Sequence, residues 1–249
     1  MVEFELAARR GLDHIEWVLD SRNVAKNPIL SETSSVSTLV DVSGVRVVSV
    51  CADYLMDHPL DESESHPWKI FSSLVSAMQG LGAKSLVVPC VDKSSLRDNA
   101  SLNRFLRAAD LVAKELEGTE VHVSLETDLG PEDFAKLLSN LDPAYFQVNY
   151  DSGNSAYLGY SYEEEFEAYG DRISLVHIKD RVLGGGSVLL GQGSADLFGV
   201  MNRLRSMEFD GPVTMQAFRD HDGIGVFDAQ LEWIVAAHQR EREVPTTEV

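Results

Sequence analysis

Short apolar runs rich in β-branched residues alternate with segments of helical period along almost the whole chain. The runs HIEWVLD, VRVVSVCADYL, KSLVVPCV, EVHVSLETDL, YFQVNYD, ISLVHIKD and VTMQAF have the length and composition of strands. Between them lie EFELAARRG, SSVSTLVDVSG, PWKIFSSLVSAMQGLG opened by Pro67, a long segment from Asn99 to about Glu117, PEDFAKLLSNL, SYEEEFEAYG, SADLFGVMNRLRSM with Ser194 as its expected N-cap, and VFDAQLEWIVAAHQRER. The stretch from Asp151 through Tyr160 and the glycine-rich stretch 183–193 read as loops. Strict alternation of this kind specifies a parallel sheet covered by helices. The sequence therefore predicts a (β/α) barrel of the TIM type. A closed barrel has about eight strands, whereas seven runs are visible and a helix occupies Glu3–Gly11 ahead of the first. The expectation is a barrel lacking or truncated at its first strand. One domain is expected over residues 1–243, with a frayed tail at 244–249.

At 249 residues the chain has the size of one such barrel. A formal net charge of −19 opposes binding to nucleic acid and to anionic lipid. No apolar run reaches a membrane span, and MVEFELAARR lacks the apolar core of a signal peptide. Cys51 and Cys90 sit in strand runs and are expected as buried free thiols in a reducing, cytoplasmic setting. Homo-oligomerisation stays open.

Four polar residues stand near the ends of consecutive late strands: Glu126 in SLETD, Asp151 in NYDSGN, His177 in VHIKD and Gln216 in VTMQAF. Each interval holds one helix and one return strand, so in a parallel barrel all four converge on the C-terminal mouth. Two carboxylates, an imidazole and an amide oxygen form a hard ligand set. It suits Mn²⁺ or Mg²⁺, then Co²⁺ or Zn²⁺. Spacing alone leaves open that these residues are caps, loop anchors or core polar groups.

The runs GLDHIEW, VVSVCADYLMDHP, SLETD, NYDSGN, VHIKDR, LGQGSADL and VTMQAFRD, in this order, resemble the sugar-phosphate isomerase/epimerase group of xylose-isomerase-like barrels. The resemblance covers Glu3 to about Arg219. It implies that Glu126, Asp151 and His177 are the first three ligands of one divalent metal, with Glu126 also the base. The family's fourth ligand is usually a second Glu that serves as the other acid/base; Gln216 stands there in this chain. An amide ligates through oxygen but accepts no proton from carbon. The resemblance thus implies a carbohydrate isomerase or epimerase working through an enediolate, and the single visible base favours isomerisation. Asp53, Lys179 and Asp180 are the candidates for a second proton carrier. Glu16, Trp17, His58, Asn154, Lys179 and Arg181 are candidate substrate contacts. Gly184, Gly185, Gly186, Gly191 and Gly193 form a candidate anion loop before a helix N-terminus. His14, His122 and His238 are expected to be structural or exposed.

Three other functions compete. A barrel without its second base is a candidate binding protein. A lyase or dehydratase acting on a cyclic hydroxy-acid uses the same metal logic. An endonuclease at abasic DNA shares the fold, but the acidity and the few strand-end histidines oppose it.

Overall fold

A computed structural model of the protein describes residues 2–61 and 64–242. The tail expected at 244–249 lies outside the described residues. The strands are β1 His14–Val18, β2 Arg46–Cys51, β3 Ser85–Cys90, β4 His122–Thr127, β5 Phe146–Asp151, β6 Ile173–Ile178, β7 Asp180–Arg181, β8 Ser187–Val188 and β9 Val213–Met215. Seven of them form one sheet in the order β1-β2-β3-β4-β5-β6-β9. Neighbours from β1 to β5, and β6 with β9, pair in parallel. A helix at Glu3–Arg9 precedes β1, and helices separate the sheet strands. Among the described residues this is the seven-stranded parallel (β/α) barrel sheet that the alternation predicts.

The chain divides into two compact units, Met1–Asn149 with Arg172–Ser174, and Tyr150–Asp171 with Leu175–Val249. In the first, β4 and β6 are separated by β5 in the sheet order, yet Ser124 Oγ and Ser174 Oγ stand 3.0 Å apart. Only a strongly curled sheet brings non-neighbouring strands to hydrogen-bonding distance on its concave face. Small buried polar groups fill that face: Ser49, Ser85 and Ser124 are all buried. Leu86, Leu125, Leu74 and Phe71 are fully buried in the apolar core of this unit. Cys51 and Cys90 are free, buried thiols, as expected; burial pushes the Cys90 thiol up to about 12.

Several boundaries differ from the sequence reading. The run VRVVSVCADYL leaves the strand at Cys51, and Tyr54–Asp57 form a short helix. The expected loop after Asp151 is a helix, Ser152–Leu158, closed by Gly159 at φ 76°. SGNSAYL is a poor helix former. What holds it is the Asp151 carboxylate, which accepts from the N–H of Gly153 and Asn154. The helix expected to begin after Ser194 starts at Leu197, and Asp196 caps it by accepting from Gly199 N–H. The Ser194 hydroxyl instead accepts from Leu183 N–H.

In the second unit the glycine-rich stretch contains an antiparallel pair, β7 with β8. Its organiser is Asp180, 1% exposed. One carboxylate accepts three backbone N–H groups, from Gly191 at 2.9 Å, Gly193 at 2.8 Å and Ala195 at 3.1 Å. At Gly193 an added Cβ would fall 2.1 Å from Asp180 Oδ1. At Gly186 an added Cβ meets nothing within 4 Å. Gly193→Ala is therefore expected to cost about 2–4 kcal/mol in denaturant unfolding, and Gly186→Ala less than about 0.5 kcal/mol. Equal effects at the two positions would contradict the assigned role of Asp180.

Candidate metal centre

β4 carries Glu126, which is 8% exposed. Asn149 on β5 donates through Nδ2 to Glu126 Oε2 at 2.8 Å and fixes the carboxylate. Side chains two apart on a strand share a face, so Asn149 and Asp151 point to the same side of β5. Asn149 is a site residue that the sequence reading missed; the alternate polar pair in NYD is the signal that was available.

Asp151 divides its two oxygens between two tasks. Oδ1 accepts both helix-cap amides at 2.8 Å. Oδ2 stands 3.9 Å from His177 Nδ1 and 3.8 Å from Lys179 Nζ. His177, on β6, is fully buried. Glu126, Asp151 and His177 each offer a ligand atom, and these atoms lie within 4.8 Å of one another.

Lys179 is held from several directions. Its N–H donates to Ser152 Oγ at 3.0 Å, and Ser152 Oγ donates to Lys179 O at 2.7 Å. Its side-chain stem occupies the space that a side chain at 153 would need: a Cβ on Gly153 would lie 2.6 Å from Lys179 Cγ. The ammonium donates to Gln216 Oε1 at 2.9 Å. Gln216 follows β9, and its backbone N–H donates to Ile178 O. Gln216, Lys179 and Asp151 thus form a chain of polar contacts, in which the amide oxygen faces an ammonium.

The remaining predicted residues separate into groups. Glu16 Oε2 accepts from Ser49 Oγ at 2.8 Å. Trp17, next in β1, turns to the other side, donates through Nε1 to Asn27 Oδ1 and packs near Phe4. Asp53 follows β2; burial raises its carboxyl pKa, and the charges of Glu126 and Glu16 raise it further against an opposing hydrogen bond from Cys51. His58 is exposed and stacks on Tyr54. Arg181 lies over the Tyr157 ring at 4.0 Å and donates to Asn154 Oδ1 and to Gly185 O. His122 bonds Ser85 at the start of β4, and burial lowers it to about 4. His14 sits beside Asp13, and His238 is exposed.

The donor set fits a divalent cation. Two buried carboxylates this close repel each other unless a positive charge lies among them. Two hard oxygens and one imidazole match Mn²⁺, Mg²⁺, Co²⁺ or Zn²⁺.

A family model described as a xylose isomerase-like TIM barrel matches residues 4–237. Inosose dehydratase of Geobacillus kaustophilus is 28% identical over 107 residues, covering 36% of this chain and 35% of that protein. The curated relative is therefore matched over only about a third of its length. Among solved structures, the apo form of 3-keto-D-glucoside 4-epimerase from E. coli has a TM-score of 0.75 at 17% identity, covering 94% of this chain and 93% of that one. An IOLI protein with a bound zinc atom has a TM-score of 0.73 at 17% identity, covering 96% and 90%. These structures share the fold.

Behind Asp151 lies a buried network of the second unit. Glu165, 4% exposed, accepts from Ser155 Oγ at 2.9 Å and from Tyr169 OH at 2.8 Å. Ser155 Oγ also donates to Asp151 O. Burial pushes the Glu165 carboxyl up to about 7 from the ordinary 4.5. A carboxyl that keeps its proton longer in the folded state stabilises fully below its unfolded pKa. That contribution is lost as pH rises through the folded value. Unfolding free energy should therefore fall between about pH 4.5 and 7 by an amount on the order of 1–3 kcal/mol, and Glu165→Gln should flatten that fall. Parallel pH profiles for wild type and variant would contradict the assignment.

Proposed function

Since the chain belongs to the xylose isomerase-like TIM-barrel family, we propose that it is a divalent-metal-dependent isomerase of a keto-sugar or related α-hydroxy carbonyl compound, with Glu126 as the base. The observation that carries this reading is the buried Glu126–Asp151–His177 group. Glu126, Asp151 and His177 are the proposed ligands, and Gln216 the neutral fourth donor. A bound cation would supply Lewis-acid polarisation of the substrate carbonyl, which acidifies the neighbouring C–H. Glu126 removes that proton, and an enediolate results. Asn149 holds the Glu126 carboxylate in place through the bond to Oε2. Return of the proton to the adjacent carbon completes an aldose–ketose interchange.

Epimerisation needs a proton carrier on the opposite face. Of the three candidates, Asp180 is engaged by three amides and Lys179 by Gln216. Asp53 fits best, because its carboxyl is half-buried and electrostatically linked to Glu126. Glu16, Asn154, Lys179 and Arg181 remain the proposed substrate contacts, with His58 and Trp17 further from support.

Dehydration is the second reading, favoured by the match to inosose dehydratase. It begins with the same proton abstraction by Glu126. Exchange into substrate carbon in D₂O therefore tests the shared step. A panel of keto- and aldo-sugars with Mn²⁺, Mg²⁺, Co²⁺ or Zn²⁺ should show deuterium incorporation by NMR. Glu126→Gln should lower the rate by about 10²–10⁴-fold while leaving the circular dichroism spectrum unchanged. No exchange in wild type across the panel would sink the enzyme assignment in favour of a binding protein. A separate expectation concerns Gln216→Glu. A third carboxylate should tighten Mn²⁺ by about tenfold or more in calorimetry, the effect of one added charge at close range. Unchanged affinity would remove position 216 from the ligand set.

A further inference from the structure

Between the helix Asn99–Leu116 and strand β3 lies a cavity of about 50 Å³, built wholly within the first unit. Ser101, Arg104, Phe105, Ala108 and Val112 recur at helical spacing and present one face of that helix to it. Val88 and Cys90, two apart on β3, share a face of the strand and line the other wall. Ala108 and Ala109 are buried here, and a methyl group is too short to fill the gap. Glu126, Asp151, His177 and Gln216 take no part in the lining.

The walls favour an apolar guest over water. Ser94 Oγ is committed to the carbonyls of Pro89 and Val91, at 2.7 and 3.0 Å. Cys90 is a free thiol kept protonated by burial. A buried water needs about two to four polar partners, which these walls do not offer. An apolar cavity of about 150 Å³ holds the six carbons of benzene, so one of about 50 Å³ holds a chain of about two or three.

Arg104 is the one charged residue among the described residues of the lining. It is half-buried, and its Nη2 donates to Ser101 Oγ at 3.1 Å, a neutral acceptor. The Asp98 carboxylate, whose charge Arg104 helps to stabilise, sends Oδ1 to the N–H groups of Ala100 and Ser101. A guanidinium carries five donors in a planar fork that matches a carboxylate.

We propose that this cavity binds a short aliphatic monocarboxylate, with its chain among Val88, Leu96 and Phe105 and its carboxylate on the Arg104 guanidinium. The site is separate from the candidate metal centre and does not depend on the reaction proposed there. A charge-assisted pair at the rim selects an anionic head, and the cavity volume limits the chain.

The test uses butyrate as the probe, titrated into the full chain and followed by methyl NMR. 1-Butanol and n-butylamine serve as controls of matched length. EDTA is present, so that no metal at Glu126, Asp151 and His177 recruits the carboxylate. The expected Kd for butyrate is about 1 mM or tighter, at least about tenfold tighter than for either control. Saturable shifts are expected at the methyls of Val88, Leu96 and Val112. Arg104→Gln should weaken butyrate by about tenfold or more and leave butanol unchanged. The inference is overturned if those methyls show no saturable shift up to about 50 mM butyrate, or if a control binds as tightly as butyrate. Unaltered butyrate affinity in a folded Arg104→Gln variant would also overturn it. If that variant does not fold, the wild-type comparison of butyrate with its controls decides alone.

Discussion

Asp151 is the residue on which the candidate centre depends, because its two oxygens do different work. Oδ1 caps the helix Ser152–Leu158, and Oδ2 is left toward His177 and Lys179. The cap sets the carboxylate's rotation, since two amide bonds at 2.8 Å leave little freedom. It also turns the chain so that Ser152 can brace the backbone of Lys179. A single carboxylate therefore ties a strand end, a helix start and a candidate ligand position together. Removing it would take the cap and the ligand at once, so loss of stability and loss of metal binding are coupled at this residue.

Charge balance explains the surroundings. Glu126 and Asp151 bring two buried carboxylates to the candidate centre, and the ammonium of Lys179 stands 3.8 Å from Asp151 and offsets part of its charge. An amide at 216 bonds to that ammonium without adding charge. Elsewhere the same economy recurs: Asp180 saturates the loop amides, and Glu165 sits behind Asp151 with its pKa raised by burial.

Much of this was legible in the sequence. The alternation of apolar runs and helical segments predicts the parallel sheet, and the polar residues at the ends of late runs pick out Glu126, Asp151 and His177, which lie together. Local chemistry was less readable. The helix Ser152–Leu158 has weak intrinsic propensity and owes its existence to a cap supplied by the preceding strand. Asn149 was passed over, although the alternate polar pair in NYD places it on the same face of the strand as Asp151, and it orients Glu126. The glycine-rich stretch suggested an anion site, since sequence shows the donors but not the acceptor that takes them. Asp180 lies eleven residues before the first of those glycine amides, and only the three-dimensional structure pairs them. Trp17 follows Glu16 directly, and strand alternation sends the two to opposite sides.

The central claim is that Glu126, Asp151 and His177 hold one divalent cation. It is tested most directly by diffraction from crystals grown with Mn²⁺, using the anomalous signal to locate the metal. The account predicts one strong peak contacted by oxygens of Glu126 and Asp151 and a ring nitrogen of His177, lost in His177→Ala crystals. A peak held by other residues, or none at saturating Mn²⁺, would contradict it.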